Sequence, residues 1–231
     1  MNESNGPLDG MSALVVGATG GLGSAIARQL AERGATLTLV SRSQDRLDDL
    51  DVDGHRVALD LRLPEACDQA VATAVDHAGG LDIVVNAVGV VAFGSIDELD
   101  VDTMEELFLT NTFAAISLAR AAFRQLGEGG TLVNIAGVIA EQNLPGMAAY
   151  GASKAAVRSF DGAAAREAKR AGVRIIDARP PHTETGLADR PIAGTAPKMP
   201  DGLDPADVAR VIVDAIADGD TTDLPSSAFT G

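Results

Sequence analysis

The chain alternates two kinds of segment along its whole length. Short runs rich in β-branched residues, bounded by Gly or Asp, stand at 13–17 (ALVVG), 36–41 (TLTLVS), 56–61 (RVALDL), 81–89 (LDIVVNAVG), 130–137 (GTLVNIAG) and 173–180 (VRIIDARP). Longer segments with helical spacing follow them, at 21–33, 43–50, 64–78, 103–126, 148–171 and 204–218. The short runs lack the inside–outside alternation of a half-exposed strand. Both of their faces are therefore expected to be buried, as in a parallel sheet covered by helices. Strand–helix alternation over the full length predicts an α/β fold, a doubly wound parallel sheet with helices on both faces. At 231 residues the chain suits one large domain.

Composition narrows the classes of function. An apolar fraction of 46% supports a sizeable core, and aromatics at 3% leave it to Ala, Val, Leu and Ile. The formal charge of −15 argues against nucleic acid, which demands a positive face. A single cysteine, Cys67, has no partner for an internal disulfide, and His55, His77 and His182 lack metal-ligand spacing, so no metal is expected. No apolar run reaches the roughly 18 residues of a membrane span. The polar start, MNESNGPLDG, does not read as a secretory leader, and a cytoplasmic protein is expected. Only three of the 18 basic residues are Lys, which suggests GC-rich coding and a bacterial source.

The stretch LVVGATGGLGSAIARQL carries the first strand into the first helix. Gly17, Gly21 and Gly23 are spaced G-x-x-x-G-x-G, with Thr19 and Leu22 between them. Glycines let a backbone approach a pyrophosphate closely, and the helix start then offers free N–H groups. The pattern predicts dinucleotide binding and a sheet of Rossmann type. Residues 1–10 read as a flexible tail and 11–231 as one dinucleotide-binding and catalytic domain. The Pro- and Gly-rich segment 184–202 reads as a mobile substrate loop. At the end of the second strand an acid would select NAD, but Ser41 and Arg42 stand there. Arginine suits a 2′-phosphate, so NADP(H) is favoured over NAD(H).

These motifs, with several others in order and spacing, make the chain resemble the short-chain dehydrogenase/reductase family from LDGMSALVVGATGGLG onward. The resemblance implies that Asp60 and Leu61 flank the adenine. NAVG, which is Asn86, Ala87, Val88 and Gly89, stands where the family has Asn-Asn-Ala-Gly. RPPHTET resembles the segment that holds the nicotinamide carboxamide, which implies contacts from Pro180, Thr183 and Thr185, with Pro181 replacing a glycine. Tyr150 and Lys154 match the family's Tyr-x-x-x-Lys, and Asn111 its helix asparagine. By resemblance Lys154 also bonds the nicotinamide ribose, and Asn111 holds a water linking Lys154 to solvent.

Elementary chemistry agrees with the pair. Positions i and i+4 share a helix face. A nearby ammonium favours the phenolate of a tyrosine, whose ordinary pKa of about 10 makes it a poor base. Tyr150 then serves as acid in reduction or base in oxidation. The expected function is NADP(H)-dependent interconversion of a carbonyl or imine with an alcohol or amine.

One departure from the family bears directly on the chemistry. Thirteen residues before Tyr150, where a serine should hold the substrate oxygen, stands Gly137, flanked by Ala136 and Val138. Losing one such donor typically costs roughly 10²–10³ in rate. Three readings stay open: Gln142, Asn143 or His182 replaces the serine; the substrate needs less help; or the protein binds NADP(H) without turnover, as a sensor or partner subunit. The substrate pocket is expected along 89–96, 137–147 and 184–202, with Gly137, Val138, Met147 and Leu187 in its wall, largely apolar. Ala-rich segments 103–126 and 148–171 are expected to build a homodimer or homotetramer. Pro225 leaves a last strand short.

Overall fold

A computed structural model describes residues 6–230. Seven strands form one sheet: β1 (Ser12–Val16), β2 (Thr36–Ser41), β3 (His55–Ala58), β4 (Ile83–Asn86), β5 (Thr131–Ile135), β6 (Arg174–Ala178) and β7 (Asp223–Leu224). Their order is β3-β2-β1-β4-β5-β6-β7, and every neighbouring pair is parallel. The order reverses between β1 and β4, so a crevice opens beyond their carboxyl ends.

Burial follows the pleat. Ala13 and Val15 of β1 join Ile83 and Val85 of β4 in one core, with Ile26, Leu30, Ile212 and Val213 from the helices α1 (Gly21–Glu32) and α7 (Pro205–Asp218). Leu14, Val16 and Val84 point the other way, onto α3 (Pro64–Ala78) and α5 (Ala114–Phe123). Adjacent residues feeding opposite cores is the period-two geometry of a strand buried on both faces.

Boundaries depart from the sequence reading in informative places. Residues 6–10 are not a free tail: they turn back, and Leu8 enters the core beneath α1, while residues 1–5 of the expected tail lie outside the described residues. The expected helix 103–126 is three pieces: α4 (Val101–Leu107), a wide π-helical stretch at Phe108–Phe113, and α5. Within that stretch Thr110, Asn111 and Thr112 are all buried. The segment expected at 43–50 contracts to α2 (Gln44–Asp48), started by a Ser43 hydroxyl that accepts from the Arg46 N–H. Helix α6 (Ala148–Ala168) carries the Tyr–Lys pair. Two residues of β7 pair with β6 before Pro225 ends the ladder.

Candidate active site

The crevice at the strand ends is a cavity of about 720 Å³. The turn after β1 forms its floor. The N–H groups of Gly17 and Ala18 both donate to Val40 O, which ties the turn to β2. Gly17 has φ +78°, and a Cβ there would stand 2.7 Å from the Ala87 carbonyl. A Cβ on Gly23 would stand 2.2 Å from Gly17 O. The turn therefore closes only on glycine. Helix α1 begins at Gly21 with no side-chain cap and no acid in its first turn. Its first N–H groups are left to face the cavity, which Gly21, Leu22 and Gly23 line.

At one end the wall is basic. Thr19 and Ser41 share a hydrogen bond of 2.7 Å, and Arg46 donates to Thr19 O at 2.6 Å. Arg42, Arg46 and Arg62 all line this end. Asp60 is the carboxylate beside them, and Arg62 occupies both its oxygens while also reaching Glu106 at 2.9 Å. The hydrogen bond from Arg62 holds the Asp60 carboxyl below the usual range. Among the described residues, no carboxylate pairs with Arg42 or Arg46. Leu61 lies alongside. Arg46 and Arg62 escaped the sequence reading. Arg46 had a signal, since it stands in the first turn of the helix that follows Arg42.

The other end carries the pair. Tyr150 lies in the cavity wall in the first turn of α6, and Lys154 lies one turn on, 5% exposed. Lys154 Nζ donates to Ile135 O at 2.8 Å. Ala87, Val88 and Gly89 form the opposite wall, and a Cβ on Gly89 would stand 3.3 Å from Lys154 Nζ and 3.4 Å from Asn111 Oδ1. Burial pushes the Tyr150 phenol up to about 12 and the Lys154 ammonium down to about 8, against a smaller opposing influence of Asp161. The phenol is thus protonated at neutral pH, against the expected lowering by Lys154.

Helix α6 is pinned from behind. The Ser153 hydroxyl donates to Tyr150 O at 2.7 Å, and Thr112 Oγ1 donates to Ser153 O at 2.8 Å. Asn111 donates to Ser153 Oγ and to Val90 O, and accepts from the Val90 N–H. Asn111 does not reach the cavity wall, and its amide fixes the 89–91 segment to the helix. Asn86, expected to bind cofactor, is likewise absent from the wall. It accepts from the Val88 N–H and donates to Asn134, so it shapes the wall from beneath.

Gly137 has φ +82° and ψ 161°, a region open essentially to glycine alone. Space is not the obstacle, since the nearest atom to a Cβ there is Pro180 O at 3.9 Å. The N–H groups of Ala136 and Gly137 donate to Ala178 O, and that of Val138 to Pro180 O. These amides are therefore committed to β6 and do not stand in for a hydroxyl. Gln142 and Asn143, expected at the pocket, lie outside its wall and are exposed. The turn at Val138–Ala140 carries them outward, and Arg179 on the far side holds the next residue, Glu141. His182 does line the cavity, with Nε2 3.4 Å from Glu184 Oε1. Pro180, Pro181, Thr183 and Thr185 line it too. A Cβ on Gly21 would stand 2.8 Å from Thr185, so that segment rests on the glycine turn.

The segment 184–202 folds over the opening. Phe93 N–H donates to Ala193 O and Ile192 N–H to Val91 O. Val138, Met147, Leu187, Ile192 and Met199 give the reaction end an apolar wall, broken by Arg190.

The short chain dehydrogenase family model matches residues 11–193. The 3-oxoacyl-(acyl-carrier-protein) reductase FabG of Vibrio cholerae is 32% identical over 217 residues, 89% of each chain. Versicolorin reductase stcU of Emericella nidulans is 33% identical over 171 residues, 69% of this chain and 64% of that one. The match thus spans under two thirds of that relative's length. A short chain dehydrogenase from Burkholderia cenocepacia in complex with NADP superposes with a TM-score of 0.83 at 29% identity, covering 96% of this chain and 99% of that one. A dehydrogenase/reductase from Sinorhizobium meliloti gives the same TM-score and identity over 96% of each chain. Within the described residues no helix is long and apolar enough to cross a membrane. The match over 11–193, on a parallel sheet whose glycine turn and Tyr–Lys pair face one cavity, places this chain in the short-chain dehydrogenase/reductase family, the NAD(P)-dependent dehydrogenases and reductases.

Proposed function

We propose that the protein is an NADP(H)-dependent oxidoreductase that interconverts a carbonyl or imine with an alcohol or amine on a small, largely apolar substrate. The observation that carries this reading is the Tyr150 phenol in the wall of the cavity whose floor is the glycine turn, one helical turn before Lys154. Arg42 and Arg46, both free of carboxylate partners among the described residues, favour a 2′-phosphate, and the NADP complex of a 29% identical relative agrees. The relatives named as reductases favour the reductive direction.

The glycine turn and the free N–H groups of α1 would hold the pyrophosphate, with Lys154 at the nicotinamide ribose. Bound NADPH would supply the hydride. Tyr150 would supply the proton to the substrate oxygen or nitrogen, and the Lys154 ammonium would offset the charge left on the phenolate oxygen. The apolar wall keeps water from the transfer. His182 is the polar side chain best placed to take over the work of the missing serine, and Gln142 and Asn143 are set aside by their exposure. We also infer a homodimer. Met104, Leu109, Phe113 and Phe123 on the α4–α5 segment are exposed, and sedimentation as a monomer at micromolar concentration would remove that inference.

A second reading, NADP(H) binding without turnover, is favoured by one observation: Gly137 and its neighbours offer neither a hydroxyl nor a free amide. NADPH binding and NADPH oxidation against ketones and imines separate the two. Turnover that disappears in Tyr150→Phe supports the enzyme. Tight binding with no turnover on any of them supports the second reading.

A further inference from the structure

Seven residues after Lys154, on the same face of α6, lies Asp161, 2% exposed. Its Oδ1 accepts from Asn134 Nδ2 at 2.7 Å, while its Oδ2 is buried with no hydrogen-bond partner. Asn134 in turn accepts from Asn86 at 3.0 Å, and Asn86 accepts from the Val88 N–H in the cavity wall. A chain of buried polar groups thus runs from that wall, under the sheet end, to the back of α6. The helix meets β5 at two adjacent residues: Lys154 holds the Ile135 carbonyl and Asp161 holds the Asn134 amide.

A carboxyl is a costly way to make this contact. An amide or hydroxyl would accept from Asn134 equally well without burying an ionisable group. The buried carboxyl therefore calls for a role that an ionisable group alone supplies. Among the described residues Lys154 has no direct counter-ion, and its buried ammonium donates to a carbonyl. The titratable groups that face Asp161 are Lys154 from its own helix and Asp177 from β6, the latter tied to Arg179. From β5 it meets the neutral amide of Asn134.

We propose that Asp161 is a positioning residue for Lys154: through Asn134 it locks α6 to the end of β5, and its carboxyl is the buried ionisable group whose charge state is coupled to that of the Lys154 ammonium. The ordinary titrations bear on this second role. Burial raises Asp161 to about 8 and lowers Lys154 to about 8, and each opposes the other's shift. The two groups exchange charge over one pH range, as a coupled pair does. Loss of the carboxyl removes an influence that raises Lys154, so Lys154 then loses its proton at lower pH.

The inference rests on reading Tyr150 and Lys154 as the reacting pair, but its test needs no turnover. The chain has three lysines, Lys154, Lys169 and Lys198, so ¹³Cε-lysine NMR resolves each titration, with Lys154→Met assigning the first. In Asp161→Asn, which keeps the acceptor for Asn134, the Lys154 midpoint falls by about half a pH unit or more while Lys169 and Lys198 stay put. If Asp161→Asn does not fold, Asp161→Ser offers an uncharged acceptor for the same titration. An unmoved Lys154 midpoint in the folded variant overturns the proposal. Where the protein turns over NADPH, the alkaline limb of its pH profile moves down with the midpoint. Absence of turnover with a moved midpoint sinks the enzymatic reading and leaves the Asp161–Lys154 coupling standing.

Discussion

The two ends of the cavity are built by different means. The nucleotide end is mostly backbone: glycines packed against carbonyls at distances no Cβ tolerates, and the uncapped start of α1. The reaction end is mostly side chains, with Lys154, Ser153, Asn111 and Asp161 held by hydrogen bonds among three elements: α6, the Phe108–Phe113 stretch and β5. Backbone construction tolerates no added atom but is indifferent to the polar residues around it. Side-chain construction allows a residue to change, provided the network still closes. Gly137 sits at the reaction end yet is made in the manner of the other: its identity is fixed by a glycine-only backbone and not by a lost side chain.

That contrast is open to attack in order of expected effect. Tyr150→Phe removes only a hydroxyl, and kcat for NADPH oxidation falls by roughly 10²–10⁴ while the NADPH Kd from fluorescence titration stays close to wild type. A large loss of NADPH affinity instead would mean that the two ends are not separable. Gly23→Ala does the reverse. Its methyl group meets the Gly17 carbonyl, so NADPH binding is lost and the melting temperature drops, consistent with overpacking of about 1–3 kcal/mol.

Arg42→Ala is gentler. A charge-assisted bond to the 2′-phosphate is worth about 1.5–3 kcal/mol, so NADPH affinity falls roughly 10- to 100-fold and NADH affinity does not change. Equal losses for both cofactors would break the assignment of the basic end. Gly137→Ser is the smallest and the most pointed. If backbone fixes this position, the serine costs about 1–2 kcal/mol in urea unfolding and gives no gain in turnover. Rising turnover with no loss of stability would show that the loop relaxes and that only the hydroxyl was missing. The pH behaviour follows from burial. The raised phenol and lowered ammonium leave Tyr150 protonated and Lys154 charged below about pH 8, so reduction weakens as pH rises through the Lys154 midpoint.

Most of the fold was legible because its causes are local. Unalternating apolar runs predicted buried parallel strands, and α3 and β2 fall at their expected bounds. The glycine spacing announced the turn, and the single tyrosine four residues before a lysine announced the pair. Less was legible where several elements converge. The widened turn at Phe108–Phe113, where three polar residues are buried together, is not announced by the helical period of the segment. Gln142 and Asn143 are close in sequence to Gly137, yet the turn at 138–140 sends them to the surface.

Asp161 marks the same boundary. Its spacing from Lys154 was visible as a shared helix face, but a charged residue on an Ala-rich helix reads as solvated until the sheet is laid against it. Local periodicity and turn chemistry thus determined the sheet, the nucleotide turn and the reacting pair. The tertiary structure decided which polar groups are buried, which amides are already committed and which cations go unpaired. Those are properties of surfaces brought together from distant parts of the chain, and desolvation, which sets their energies, has no value until they meet.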